Sequence, residues 1–429
     1  MPKPVKFYNW IIRNAVILDG SGGSEYRADV GIIDNRIACI GDLDGRECES
    51  TIDAQGLCLA PGFIDVHTHD DIHLLNNPEM LSKISQGVST VIVGNCGISA
   101  SPVSLNGPPP DPMNLLGNEH DFVFPRMRDY AAAINRVQPS VNVAALVGHT
   151  SLRANHMNQL DRPANQGEIL AMREDLALAL VDGALGLSSG LSYESAINAP
   201  ADELLSLAKE LTKSGAIYTT HLRSEFEGIL DAMKEAFTLG KESDIPVVIS
   251  HFKCAGVANW GRTLETIPLL QQAASKQEVA CDCYPYAASS STLDLKQVTD
   301  DFDIFITWSD PHAEMAGKML ADIASEWNLS LLSAAKKLRP AGAVYHSMDE
   351  ADVRRVLQYT DCMIGSDGLP GDPHPHPRLW GTFPRVLGHY SRDMKILNLP
   401  EAIRKMTGLQ RLNLGSNNEA LLLRGIMPT

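Results

Sequence analysis

Hydrophobic and polar positions change their rhythm near residue 61. Over residues 8–60, short apolar runs are broken by turn signals: WIIRNAVILD, ADVGIIDNRIACIG and ESTIDAQGLCLAPG read as strands, with DNR and GDLDG as turns. This predicts a small β unit. From Pro61 onward, short apolar runs alternate with amphipathic stretches, as in βα units. Eight runs qualify as buried strands: residues 62–69 (GFIDVHTH), 89–96 (STVIVGNC), 142–149 (NVAALVGH), 184–191 (ALGLSSGL), 216–222 (AIYTTHL), 246–251 (PVVISH), 278–286 (EVACDCYPY) and 362–367 (CMIGSD). Among the intervening helices, 201–215 gathers Leu204, Ala208 and Leu211 on one face, and 230–243 repeats Met233 and Phe237 at helical spacing. The expected fold is α/β, a (β/α)₈ TIM barrel over residues 61–408, preceded by a small β-rich domain over 1–60 and followed by a tail, 409–429. Periodicity alone leaves a doubly wound sheet open, because both folds use buried parallel strands. The glycines of GNCGIS and GLSSGLS form no phosphate-binding G-x-G-x-x-G.

Two stretches interrupt the alternation. Residues 102–126 are rich in Pro, Gly and Asn and predict a long excursion on the active face. A second insertion is expected from Thr292 to Ala343.

Composition narrows the classes. The chain has 429 residues, 44% hydrophobic and 21% charged, which suits a globular protein of one large domain with an appendage. Its net charge of -16 is not interrupted by a Lys/Arg stripe, so nucleic acid is not an expected partner. No stretch reaches the length of a membrane span, and the N-terminus lacks an apolar signal core, so no membrane partner is expected. Eight cysteines without a repeated framework fit a reducing cytoplasm. Cys281 and Cys283 alternate with apolar residues and read as strand packing.

The polar residues at the strand ends carry the chemistry. His67 and His69 close the first predicted strand, Cys96 the second, His149 the third, His221 the fifth, His251 the sixth and Asp367 the eighth. All lie at carboxyl ends, the rim where barrel enzymes collect catalytic groups. The H-x-H spacing of His67 and His69 on a strand turns both imidazoles to one side, where two can share a metal. Cys96 alone reads as a small buried hydrophobe; beside imidazoles and a carboxylate at a strand end, its thiolate suits Zn²⁺ and makes it a ligand. Asp367 can bind a metal and shuttle a proton, or cap the next helix. His149 is open between a substrate contact and a structural role. His374 and His376, in GDPHPHPR, read as loop geometry.

APGFIDVHTHDD, VIVGNCGIS, SSGLSYESA, THLRSE, ISHFKCAG, CDCYPYAASSSTL and IGSDGLPGDPHPHPRLWGTFPRVLG, taken together and in order, resemble the N-acyl-D-amino-acid deacylases of the amidohydrolase superfamily. The cysteine of GNCG, in place of a carboxylated lysine, characterises that branch. The resemblance implies one tight zinc site from Cys96, His221 and His251, with His67, His69 and Asp367 facing a second, weaker position for which Cys96 is a candidate bridge. It makes Asp367 the general base and acid, and assigns Lys253, Tyr284, Ser289 and Arg378 to the substrate's α-carboxylate or its neighbouring polar groups. Lys253 and Tyr284 also stand just beyond strand ends six and seven. Acidic-substrate members carry a further cation after the YPYA segment; here Lys296 is the candidate, beside Gln297, which leaves acidic against neutral side chains open. The expected reaction is zinc-dependent hydrolysis of the linear amide of an N-acyl-D-amino acid, a small-molecule substrate. A cyclic-amide amidohydrolase of the hydantoinase or dihydroorotase type is the enzymatic alternative, and an inactive truncated metal-binding paralogue the other. The latter is prompted by the ending LQRLNLGSNNEALLLRGIMPT, where the family ordinarily returns to the β domain with a further strand.

Overall fold

The fold is taken from a computed structural model that describes residues 7–409. Residues 410–429, on which most of the expected tail falls, lie outside the described residues. The N-terminal unit is a five-stranded sheet. Tyr8–Ile17 lies between Tyr26–Ile33 and Cys48–Asp53, with Arg36–Gly41 at one edge and Cys58–Leu59 pairing further along Tyr8–Ile17. Two small apolar clusters, one around Ala15, Ile17 and Val30 and one around Tyr8, Ile11 and Leu43, hold it together.

All eight predicted barrel strands form, in chain order and in one parallel sheet: Phe63–Asp65, Val88–Val93, Asn142–Gly148, Gly186–Gly190, Ile217–His221, Val247–Ile249, Val279–Cys283 and Cys362–Ile364. The sheet closes where the first and eighth strands meet, through a parallel bridge between Thr68 and Gly368 and a 2.7 Å hydrogen bond donated by Asp367 N to His67 O. The period-two alternation of each strand sends side chains to two different interiors. Val91, Val93, Val247, Ile249, Cys281, Cys283 and Ile364 face the surrounding helices. Ile92, Leu146, Ile217, Val248, Ala280 and Met363 face inward and plug the barrel. Cys281 and Cys283 are thus packing residues.

The second insertion begins earlier than its sequence suggests. Ser289–Thr292 is already a strand, paired with Ala341–Tyr345, which in turn pairs with Ile304–Ser309. With helices Leu320–Glu326 and Leu331–Leu338 this antiparallel sheet buries its own cluster, including Ile306, Ile323, Leu338 and Tyr345. The polar run SSST hid that strand, since period and hydrophobicity both fail there. The 102–126 excursion leans onto this subdomain, where Thr292 Oγ1 donates to Asp111 Oδ1 at 3.0 Å.

Closure depends on a buried cation. Lys83 is fully buried; its Nζ lies 2.9 Å from Asp65 Oδ2, 3.1 Å from Asp70 Oδ2 and 3.0 Å from Ser366 Oγ, tying the first strand to the end of the eighth. Asp65 Oδ1 also accepts from Ser366 N at 2.7 Å. Removing one member of such a group strands the remaining charges away from water. Lys83→Met should therefore lower folding stability by about 3–5 kcal/mol, read as a lower urea midpoint; an unchanged midpoint would show that the group contributes nothing to barrel closure.

Candidate metal centre

Five of the six candidate ligands stand just beyond a barrel strand: His67 and His69 after the first, Cys96 after the second, His251 after the sixth and Asp367 after the eighth; His221 is the last residue of the fifth. Their donor atoms fall into two groups, His67–His69–Cys96–Asp367 and Cys96–His221–His251, and within each group all atoms lie within 4.8 Å of one another. Cys96 belongs to both. Its Sγ is 3.2 Å from His67 Nε2 and 3.3 Å from His251 Nε2, while Asp367 Oδ1 is 3.2 Å from His69 Nε2 and 3.5 Å from His67 Nε2.

Bringing these groups together bends the backbone. Cys96, His251 and Asp367 have φ of 53°, 36° and 51°, in the left-handed region that side-chain-bearing residues seldom occupy. Each is held there by specific bonds. Asp367 N is fixed on His67 O, and His251 N donates to Asp282 Oδ1 at 2.8 Å. Around Cys96, Ser188 Oγ accepts from Gly97 N at 3.0 Å and donates to Gly94 O at 2.5 Å. Asp71 accepts from Gly94 N and Ala100 N, and burial lifts its carboxyl to about 6. The glycine at 190 is required by close approach, since a Cβ there would lie 2.2 Å from Cys96 O.

Two carboxylates that the sequence reading passed over orient the imidazoles. Glu225 Oε1 is 2.9 Å from His251 Nδ1 and accepts from Lys253 Nζ at 2.6 Å. Asp282 Oδ2 is 3.3 Å from His67 Nδ1. Lys253 Nζ also lies 2.9 Å from His251 Nδ1, between that ring and Glu225; where a carboxylate takes the Nδ1 proton, Nε2 is left as a lone-pair donor to a cation. Glu225 was within sight in THLRSE, four residues after His221; Asp282, between two packing cysteines, gave no signal of its own.

The electrostatics favour a cation. Burial pushes the Cys96 thiol up, but the His67 and His251 charges and hydrogen bonds from His221 and His251 outweigh it and hold the thiol well below its ordinary value. Burial also opposes charge on His67 and His69. The anions nevertheless win: Asp282, Cys96 and Asp367 raise His67 well above the usual imidazole range, and Asp367 and Cys96 raise His69 to about 9. Asp367 is held well below the usual carboxylate range, against burial, by Arg378 and His67. His221 is lowered, chiefly by burial. A metal ion fits this donor set of soft sulfur, borderline nitrogen and carboxylate oxygen, which suits zinc. The buried His69 Nδ1 and His221 Nδ1 also have no hydrogen-bond partner among the described residues.

A cavity of about 440 Å³ opens above the ring, with His69, His221, His251, Lys253, Ser289 and Asp367 in its wall. The other expected substrate contacts stand elsewhere. Tyr284 lies behind the wall, its ring centroid 4.6 Å from Arg378 Cζ and 5.8 Å from Lys253 Nζ. Arg378, also buried, places Nη1 2.7 Å from Asp367 Oδ2 and donates from Nη2 to Ser290 O at 2.9 Å, because a buried guanidinium needs a buried anion and an acceptor. His149 is a correction. It opens the helix His149–His156, which turns its ring away from the cavity onto Glu203 Oε1 at 2.9 Å, a carboxylate shared with Arg153. His376 Nδ1 accepts from Arg378 N at 3.0 Å, which accounts for it as loop geometry.

A closed parallel barrel with imidazoles, a thiol and a carboxylate converging at its carboxyl rim defines a metal-dependent hydrolase architecture. The Amidohydrolase family profile matches residues 50–415, and the chain belongs to that family. It is 44% identical to the D-aminoacylase of Alcaligenes xylosoxydans xylosoxydans over 418 residues, covering 97% of this chain and 86% of that protein. It is equally identical, over 97% of its own length and 84% of the relative's, to the N-acyl-D-aspartate deacylase of the same organism. Among solved structures, the N-acyl-D-glutamate deacylase of Bordetella bronchiseptica, complexed with zinc and a phosphonate mimic of the tetrahedral intermediate, superposes with a TM-score of 0.92 at 42% identity, covering 96% of this chain and 87% of that one.

The Glu225 contact generates a prediction. Glu225→Gln keeps the shape but weakens the acceptor on His251, and such changes typically cost about 10–100-fold in metal affinity. Competition with a chromophoric chelator should show a loss of that order for Zn²⁺; wild-type affinity would remove Glu225 from the metal site.

Proposed function

We propose that the protein hydrolyses N-acyl-D-amino acids to a carboxylic acid and a free D-amino acid, with zinc as its metal. The observation that carries this reading is the pair of donor groups sharing Cys96, from which His69, His221, His251 and Asp367 reach the cavity wall, in a chain 44% identical over 97% of its length to a D-aminoacylase. A cyclic-amide reading has less support, since Cys96 occupies the strand end where a carboxylated lysine would bridge two metals.

Cys96, His221 and His251 would hold zinc tightly, with His67, His69 and Asp367 facing a second, weaker position. Zinc held by these residues would supply Lewis acidity, which polarises an amide carbonyl and acidifies water. Asp367 Oδ1, at the cavity wall, takes a proton and returns it to the leaving amine. Lys253 and Ser289 receive the α-carboxylate, with the Tyr284 ring placing Lys253 and Arg378 on a common support. Arg378 joins them once Asp367 is otherwise engaged, and its planar fork then suits a carboxylate. Among the described residues, no helix is long and apolar enough to cross a membrane. The cysteine pattern supports a cytoplasmic location.

Two measurements test this reading. Zinc-reconstituted protein should hydrolyse N-acetyl and N-formyl D-amino acids and leave the L-enantiomers untouched; preference for the L-series would overturn it. Asp367→Asn should keep fold and tight-site zinc but lose about 10²–10⁴-fold in kcat, and near-wild-type turnover would take Asp367 out of the proton transfer.

A further inference from the structure

Beside the reaction cavity lies a second, more open one of about 700 Å³, and no part of the mechanism uses it. Leu115 and Leu369 belong to the walls of both, so the two spaces meet across these side chains. Part of its wall is apolar and stiff, from Pro108, Pro109, Pro340 and Trp308, while Asn114, Asn118 and His120 line it as well. Trp308 is set by its strand. A register shift between Ile306 and Trp308 re-aims it, and the indole lies directly on Gly342 of the neighbouring strand, where a Cβ would come within 2.1 Å of Nε1. Glu119, Asp310 and Asp372 also border the second cavity, and neither lysine nor arginine does.

Its place relative to Asp367 decides what it can take. Lys253 follows the sixth barrel strand, and Tyr284 and Ser289 follow the seventh, so the amino-acid part of the substrate is anchored on that side. The second cavity is built from the chain just after Asp367, namely Leu369 and Gly371–Pro373, from the 102–126 excursion after the second strand, and from Trp308, Asp310 and Pro340 of the insertion. None of the proposed carboxylate-binding residues borders it. The scissile amide joins the amino-acid part to the acyl part, so with the α-carboxylate held at Lys253 and Ser289 the acyl chain would extend past Asp367 towards Leu369.

We infer that this second cavity receives the distal end of a neutral, apolar acyl chain, and that the preferred substrates carry medium-length or aryl acyl groups in place of acetyl. This rests on the deacylase reading. Hydrophobic transfer sets the scale: a fully buried methylene contributes about fourfold to kcat/KM. The acidic border rejects an acyl chain ending in a second carboxylate.

The test is a series of one D-amino acid carrying N-acetyl, N-butanoyl, N-hexanoyl, N-octanoyl and N-succinyl groups. The wild type should gain in kcat/KM from acetyl to hexanoyl, by as much as about fourfold per methylene, and should turn over N-succinyl less well than N-butanoyl. Gly371→Phe fills the second cavity from a position whose Cβ meets nothing closer than Leu115 O at 3.9 Å. It should flatten the gain with chain length and leave N-acetyl turnover within twofold of wild type. Trp308→Ala should lower the gain without abolishing it. A flat or falling series in a wild type that hydrolyses the N-acetyl substrate overturns this inference alone, as does a Gly371→Phe variant that loses all members equally. The same holds if Gly371→Phe alters the ranking of amino-acid side chains and not of acyl chains. If no member of the series is hydrolysed, the deacylase reading falls as well.

Discussion

The structure is organised around one thiol. Cys96 Sγ stands between His67 and His251 at the barrel axis and joins two donor groups that would otherwise be separate. Burying an anion is costly, and burying several side by side costs more, because charge interactions grow as water is excluded. Here Cys96, Asp367, Asp282 and Glu225 lie close together around four imidazoles, and the balance tips the first two imidazoles towards their protonated forms. A cation relieves this crowding. The left-handed backbone at Cys96, His251 and Asp367 is the local cost of aiming all these groups at one point. It persists because hydrogen bonds or close glycine packing from another barrel strand pin each of those residues or its immediate neighbours.

Much of this was legible in the sequence, for identifiable reasons. Parallel barrel strands are buried on both faces, and short runs with apolar residues between amphipathic stretches placed all eight, GLSSG and IYTTH among them; their carboxyl ends located the polar residues that cluster. What the alternation could not convey is the direction of a side chain once the strand has ended. His149 shared the pattern of the other rim histidines, but as the first residue of a helix it turns to Glu203. Glu225 and Asp282 act through the far nitrogen of an imidazole, a relation that depends on ring orientation and leaves no periodic trace. Ser289–Thr292 is a strand by virtue of its partner Ala341–Tyr345, some fifty positions away, and its polar residues concealed it.

Tyr284 and Arg378 show a related limit. Chain position put Tyr284 near the rim and the family resemblance put Arg378 with the substrate; both are near the rim, but the buried guanidinium pairs with the buried carboxylate of Asp367. The same contact gives Asp367 a fixed orientation from one oxygen while its other oxygen faces His67 and His69. The two lone-pair faces of the carboxylate are thus divided between a guanidinium and the imidazole ring.

The barrel is layered, and the layers divide the labour. The inward plug of Ile92, Leu146, Ile217, Val248 and Met363 supports the ring from beneath and keeps water from that side, which strengthens every charge interaction above it. One side of the reaction cavity comes from elsewhere: Asp111 and Leu115 of the 102–126 excursion and a subdomain that has its own hydrophobic cluster. A substitution in that subdomain is absorbed by a core that shares no residue with the plug or with the helix-facing cluster of the barrel. Cavity shape can therefore change without moving the metal ring, whereas a change in the plug reaches all the ligands at once.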